Sequence, residues 1–184
     1  MTVTRIASVD DAAALAVTLK ENRAFLAPWE PVRDDDFFTV ESQRAALVQA
    51  LDAYARESMV PLVIIDNGQL AGRITINGIT RGAFQSASIG YWVSKSHNGR
   101  GLATAAVADA ITIAFGELGL HRLQAETLLH NTGSQRVLTR SGFRPFGIAP
   151  SYLKIAGKWQ DHVLFHAFNP ADPAGSAPRP GYPA

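Results

Sequence analysis

No cysteine occurs among the 184 residues, which excludes disulfides, thiolate metal sites and a cysteine nucleophile together. Charge is sparse and balanced: 18% of residues are charged and the net charge is +1, so nothing draws the chain broadly toward nucleic acid. No stretch approaches the roughly 18 uninterrupted apolar residues of a membrane span, and the N-terminus lacks a basic start followed by an apolar run. No export signal and no membrane segment is read, and a cytoplasmic protein is expected. H-E-x-x-H is missing, and His162 and His166 fall four residues apart on an expected strand, roughly 13 Å, too far to share one ion. A metal is therefore not expected. G-x-S-x-G is missing as well, which disfavours Ser-His-Asp hydrolysis.

What is present is an ordinary globular composition, 47% apolar, in a length that suits one domain with a sizeable core. Five of the ten prolines fall in residues 169–184 with almost no large apolar side chains. That composition does not repay the entropy of ordering, so a domain over 1–168 and a loose tail over 169–184 are expected.

Within the domain, Asp10 or Asp11 is placed to cap a first helix carrying Ala12, Leu15, Ala16 and Leu19 at helical spacing. Pro28 and Pro31 force a loop around Trp29, and a second amphipathic helix is expected over 40–56. Residues 60–65 and 70–76, joined by Asn67-Gly68, read as a β-hairpin, which 86–94 extends. An almost wholly apolar helix covers 102–118, broken by a narrow stripe at Ala105, Asp109, Thr112 and Gly116. A strand over 122–128, a helix over 132–141 stopped by Gly142, and strands over 144–154 and 159–168 complete the chain. These elements predict an α/β fold with a mixed central sheet of six to seven strands flanked by helices.

The segment from Tyr91, Trp92 and Val93 through Asn98-Gly99-Arg100-Gly101-Leu102-Ala103-Thr104 leads from a strand into the apolar helix. Gly99 and Gly101 can adopt positive φ and leave backbone N–H groups free to converge on an anion at the helix N-terminus. Equally, two glycines make a tight strand-to-helix turn. The spacing fits neither the P-loop nor the dinucleotide fingerprint. On strand 122–128, Arg122, Gln124 and Glu126 alternate with Leu123, Ala125 and Thr127, giving a polar face that is either a solvated edge or one wall of a site. A carboxylate at Glu126 is able to take a proton from an incoming ammonium. Asn131 is an apt helix N-cap with Ser134 in the first turn. Asp34, Asp35 and Asp36 read as a solvated turn, or as carboxylates that attract a cationic amine.

The glycine segment resembles the coenzyme-A loop of the GNAT N-acetyltransferase superfamily, with Asn98 departing from the Gln or Arg of its first position. Asn131, Ser134, Arg140-Ser141-Gly142-Phe143, Asn22 to Pro31, Ser151-Tyr152-Leu153 and Gly157 to His162 extend the resemblance to the RimJ/RimL type. The resemblance implies a splayed central strand pair, opened by a bulge, that receives the pantetheine arm. It implies acetyl-coenzyme A as co-substrate, held by Tyr91, Trp92, Val93, the 98–104 segment, Asn131 and Ser134. Many members have a tyrosine acid seven residues after the asparagine; here that position is Leu138, which donates no proton. In the RimJ/RimL type a serine occupies the thiolate side, and Ser134 matches it. Glu126 resembles the general base of some members, while Trp29 and Tyr152 match segments that wall the acceptor cleft.

The expected activity is direct acetyl transfer to an amine by a monomer or homodimer. A protein or peptide N-terminus is the expected acceptor, as in ribosomal-protein alanine N-acetyltransferases. A small amine such as an antibiotic, or a catalytically silent acyl-coenzyme-A-binding domain, are the alternatives.

Overall fold

The computed structural model describes residues 2–172. It contains β1 (Thr4–Ile6), α1 (Ala12–Leu26), α2 (Val40–Ala55), β2 (Met59–Asp66), β3 (Gln69–Thr80), β4 (Ser86–Val93), α3 (Leu102–Thr112), β5 (Arg122–Leu128), α4 (Thr132–Arg140), β6 (Arg144–Ile155) and β7 (Lys158–Phe168). The strands form one seven-stranded sheet in the order β1-β2-β3-β4-β5-β7-β6. Only β4 and β5 run parallel; every other neighbouring pair is antiparallel. Of the tail expected over 169–184, residues 173–184 lie outside the described residues. Asn169 donates from its backbone N–H to the His121 carbonyl at 2.9 Å.

The two-residue period of the strands distributes apolar side chains to both faces. Leu62 and Ile64 of β2 join Ala106, Val107 and Ala110 of α3 in the main core, whereas the intervening Val63 meets Leu15 of α1 and Leu47 of α2. Each fully buried Leu or Ile contributes about 1.5–3 kcal/mol, so the sheet is held by a helix pair on each side. The Asn67-Gly68 turn has φ values of 49° and 78°, the positive pair that a tight hairpin needs.

Three features differ from expectation. Asp11 holds the N-cap position of the first helix, but its side chain makes no capping bond to that helix. Ser8 Oγ accepts from the Asp10 N–H at 3.2 Å, and the Asp11 carboxylate turns back to accept from the Ser8 N–H at 2.7 Å and from both Arg5 guanidinium nitrogens. The long apolar helix changes winding at Ile113, where a π turn over Ile113–Glu117 ends it. And β1 is an unforeseen edge strand. Its anchor is Asp109, whose Oδ2 accepts from the backbone N–H groups of Val3 and Thr4 and from the Thr4 hydroxyl at 2.9–3.0 Å. The lone carboxylate on α3 is thereby explained.

Asp109→Ala removes three donors' common acceptor. It should lower unfolding free energy by about 1–3 kcal/mol and free β1 first, read as a lower denaturation midpoint and faster amide exchange at Thr4 to Ile6.

Candidate active site

The parallel strands β4 and β5 pair at only three positions, Ser86 with Arg122, Ala87 with Leu123 and Ser88 with Gln124. Beyond them β4 stays on β3 as far as Val93, and β5 stays on β7 as far as Leu128. Two strands held by their outer neighbours therefore part in the middle of the sheet. The expected splay is present. The bulge is not on β4: the extra residue lies on β3 between Asn77 and Thr80, opposite Ala87, with Gly78 at φ 59°. An extra residue of this kind bends the strand that carries it and increases its local twist.

Past the splay the chain is locked into a loop by backbone contacts. Ser94 donates its N–H to the Ala71 carbonyl at 2.7 Å, and the Lys95 N–H is taken by the Oδ1 of buried Asn22 at 2.7 Å. Gly99 and Gly101 follow with φ near +80°, and a Cβ added at either meets no atom within 4 Å. Gly101 is the N-cap of α3 and no side chain caps that helix, so its first N–H groups face open space. Such a terminus favours an anion.

This loop forms one side of a cleft of about 580 Å³. Tyr91, Trp92 and Val93 line it from β4, Asn98, Gly99 and Gly101 from the loop, and Leu102, Ala103 and Thr104 from α3. Asn131 and Ser134 line the opposite side, with Trp29, whose ring lies 5.5 Å from that of His130. Arg100 does not line the cleft; its guanidinium pairs with the Asp66 carboxylate at 3.3 Å. Arg136 and Arg140 of α4 do line it, though sequence reasoning passed over them. Their four-residue spacing, which sets both on one helix face one turn after Asn131, was the available signal.

Asn131 Oδ1 accepts from the Ser134 N–H at 3.1 Å, so the asparagine caps α4 and borders the cleft at once. Ser134 Oγ lies 2.8 Å from the Tyr91 hydroxyl. Leu138 is fully buried in the main core, so its position serves packing.

Glu126 and Tyr152 stand outside this cleft, near one another. Leu123 and Ala125 face the main core, which by strand alternation turns Glu126 to the opposite face. Its Oε1 accepts from Ser88 Oγ at 3.4 Å across the splay. Burial pushes the Glu126 carboxyl above its usual range, partly offset by that bond and by its own backbone N–H. The Tyr152 phenol is raised by burial and by the negative charge of Glu126, and its ring lies 5.7 Å from that of His162. The Trp29 loop reaches the β6–β7 turn, where the Ala156 N–H donates to the Glu30 carbonyl at 3.0 Å. Asp34 caps a short 3-10 turn and Asp35 pairs with Arg23 at 2.6 Å, which accounts for two of the three aspartates structurally. Among the described residues, no three histidine, aspartate or glutamate side chains gather as a metal site, and no helix is long and apolar enough to cross a membrane.

The family model for the acetyltransferase (GNAT) domain matches residues 2–144. The chain belongs to the GNAT family. It is 39% identical over 154 residues to the probable N-acetyltransferase YjcK of Bacillus subtilis (strain 168), covering 83% of this chain and 85% of that protein. It is 34% identical over 164 residues to the ribosomal protein uS5-alanine N-acetyltransferase of Escherichia coli (strain K12), covering 88% and 84%. The structure of Mycobacterium smegmatis RimJ in complex with CoA-disulfide superposes with a TM-score of 0.89 at 35% identity, covering 92% of this chain and 83% of that one. This GNAT chain is thus an acetyl-coenzyme-A-dependent N-acetyltransferase of the RimJ/RimL type.

The open N–H groups of α3, the uncrowded glycines and the two cations of α4 fit a pyrophosphate-bearing ligand. Gly101 is a poor site for testing this, because its left-handed backbone strains any β-branched replacement. Thr104 lies in the third position of α3 and lines the cleft. Thr104→Glu suits a helix N-terminus but sets a negative charge beside the anion site. It should leave the melting temperature within a few degrees and weaken acetyl-coenzyme A by about 10- to 100-fold in calorimetry.

Proposed function

We propose that this chain acetylates the α-amine of a protein or peptide N-terminus by direct attack on the thioester, with no covalent acyl-enzyme. The observation that carries the proposal is the parting of β4 and β5 beyond Ser88 and Gln124. It opens a gap between the cleft with Ser134 and the opposite face with Glu126, through which an amine can meet an acyl group. A protein acceptor is supported by the relatives named as ribosomal protein uS5-alanine N-acetyltransferases. It is supported also by the partly exposed aromatic rings of Trp29 (38%) and Tyr152 (41%), which leave room for a chain to enter.

Acetyl-coenzyme A supplies the acyl group and a thiolate leaving group when bound. Glu126 takes a proton from the incoming ammonium, directly or through water, so that the neutral amine attacks. Ser134 gives its hydroxyl proton to the departing sulfur and regains one from solvent. The ammonium nitrogen gives up two protons in all, one to Glu126 before attack and one to solvent as the amide forms. Glu126 returns its proton to solvent and sulfur takes the one that Ser134 recovers, so one net proton is released. The rest is positioning, which supplies about 7–11 kcal/mol of the barrier when two reactants are held in line. The backbone of β4 and the loop at 98–104 hold the donor on this proposal, and Trp29 and Tyr152 border the acceptor.

The experiment is a coenzyme-A release assay with peptides beginning in alanine, the same peptides Nα-blocked, and small polyamines or amino-sugars. Release with free peptides only is expected. Turnover with small amines alone would replace the protein acceptor by a small one, and binding without release in all arms would indicate a silent domain.

Glu126 gives a pH prediction. Its carboxyl ionises above its ordinary range, whereas a peptide α-amine loses its proton only at about 7.7–8.0. Below that range the acceptor is charged and must give up a proton before it can attack. Glu126→Gln should there lower kcat/KM by about 10²-fold, with the gap narrowing above about pH 8 as the free amine becomes neutral. Because burial raises the folded-state value, ionisation of Glu126 costs stability above the unfolded value, and the variant should melt no lower than the parent at pH 8.

A further inference from the structure

The Ser134 hydroxyl does not stand alone in the cleft. The Tyr91 hydroxyl lies 2.8 Å from Ser134 Oγ and 3.3 Å from the Ser134 backbone carbonyl. Tyr91 comes from the part of β4 that has left β5, with its ring packed against the main core. Asn131 holds the same serine by its N–H. Ser134 is therefore fixed at N–H, carbonyl and hydroxyl by two side chains. Burial pushes the Tyr91 phenol up to about 12, with the Ser134 bond only partly opposing. The phenol keeps its hydrogen through the neutral range, and both acceptors within its reach belong to one residue.

We infer that Tyr91 is a positioning residue for acetyl transfer, donating to Ser134 Oγ when the serine hydroxyl turns toward the departing sulfur. This rests on Ser134 serving the thiolate, as proposed above. Two hydrogen-bond arrangements satisfy the pair. In one, Ser134 donates to the Tyr91 oxygen and Tyr91 donates to the Ser134 carbonyl. In the other, Tyr91 donates to Ser134 Oγ, and the serine hydrogen is released into the cleft. A group that accepts one hydrogen bond donates a stronger one, so the second arrangement makes Ser134 the better donor as negative charge forms. No proton leaves Tyr91. The hydrogen that passes to sulfur is Ser134's own, and the phenol stabilises the charge left on Oγ until solvent restores it. Neither group needs an ionised partner, so the device works without the tyrosine acid that Leu138 replaces.

The test is a double-mutant cycle on the full chain, read by single-turnover acetyl transfer to an accepted peptide, with acetyl-coenzyme-A affinity and melting temperature measured on every variant. Ser134→Ala should slow transfer by about 10²-fold or more. Tyr91→Phe keeps the ring in place and should slow transfer by about three- to tenfold, the worth of one hydrogen bond, with affinity unchanged within twofold. In the Ser134→Ala background the phenol retains the carbonyl at position 134 as acceptor, so the structure persists. There Tyr91→Phe should cost less than about twofold, because the group it acts through is gone. Equal losses in both backgrounds would overturn the inference and show that the Tyr91 hydroxyl acts independently of Ser134. A slow Ser134→Ala with an unaffected Tyr91→Phe would overturn it while leaving the acid in place. A fully active Ser134→Ala would overturn both.

Discussion

The separation of β4 from β5 is the constraint on which the other features of the site depend. A parallel pair in mid-sheet ordinarily continues its ladder, because unpaired backbone groups in a buried sheet are costly. Here the ladder stops after Ser88 and Gln124, while both strands remain fully held on their outer sides by β3 and β7. The opening is therefore rigid. It exposes main-chain donors and acceptors at fixed positions, and it lets side chains of two strands approach a shared reaction point from opposite faces. Ser86 and Ser88 bridge to Gln124 and Glu126 at the base of the divergence, giving its narrow end a polar lining.

A rigid opening needs a rigid rim, and the chain supplies one largely from neutral groups. Gly72 opposes Val93, and a Cβ there would come within 2.2 Å of the Trp92 carbonyl oxygen, so only glycine allows β3 this close to the end of β4. Asn22 then takes the Lys95 N–H from α1, and Ser94 Oγ meets His97 Nδ1 at 2.7 Å. The loop reaches α3 already oriented, with Arg100 drawn outward to Asp66. Preorganised donors of this kind lose little entropy when an anion arrives.

Much of this was legible in the chain. Period-two runs, the Asn67-Gly68 turn and the glycine loop before an apolar segment predict the hairpin, β4 and α3, because each depends on neighbours in sequence. The features that escaped depend on partners far away along the chain. β1 is three residues long, pairs with β2 about sixty residues on, and has its start held by Asp109, more than a hundred residues later. Arg100 belongs to the loop motif, yet Asp66 sets where its guanidinium goes. Glu126 was expected beside the cofactor cleft and Tyr152 on the wall of the acceptor cleft, without a face of the sheet being assigned to either. The pleat turns Glu126 to the face opposite Leu123 and Ala125, a matter of register rather than of residue type. The hydroxyl pair of Tyr91 and Ser134 joins positions 43 apart, which no local pattern reports.

Burial acts on both sides of the opening in the same direction but with opposite chemical results. It raises the carboxyl of Glu126 and the phenol of Tyr91, since in each case the anion is the form that loses water. For the carboxylic acid the rise makes the conjugate base a stronger proton acceptor. Starting from a phenol, the rise to about 12 removes ionisation from consideration and leaves a permanent neutral donor. In the proposed transfer one physical cause thus serves a proton acceptor on one face and a fixed hydrogen-bond donor on the other. The division also bears on the sequence at Leu138. In the proposed transfer the donor role falls to a β4 phenol acting through an α4 serine, which leaves the later position on α4 to the core. A fully buried leucine there packs the helix that holds Ser134 against the sheet.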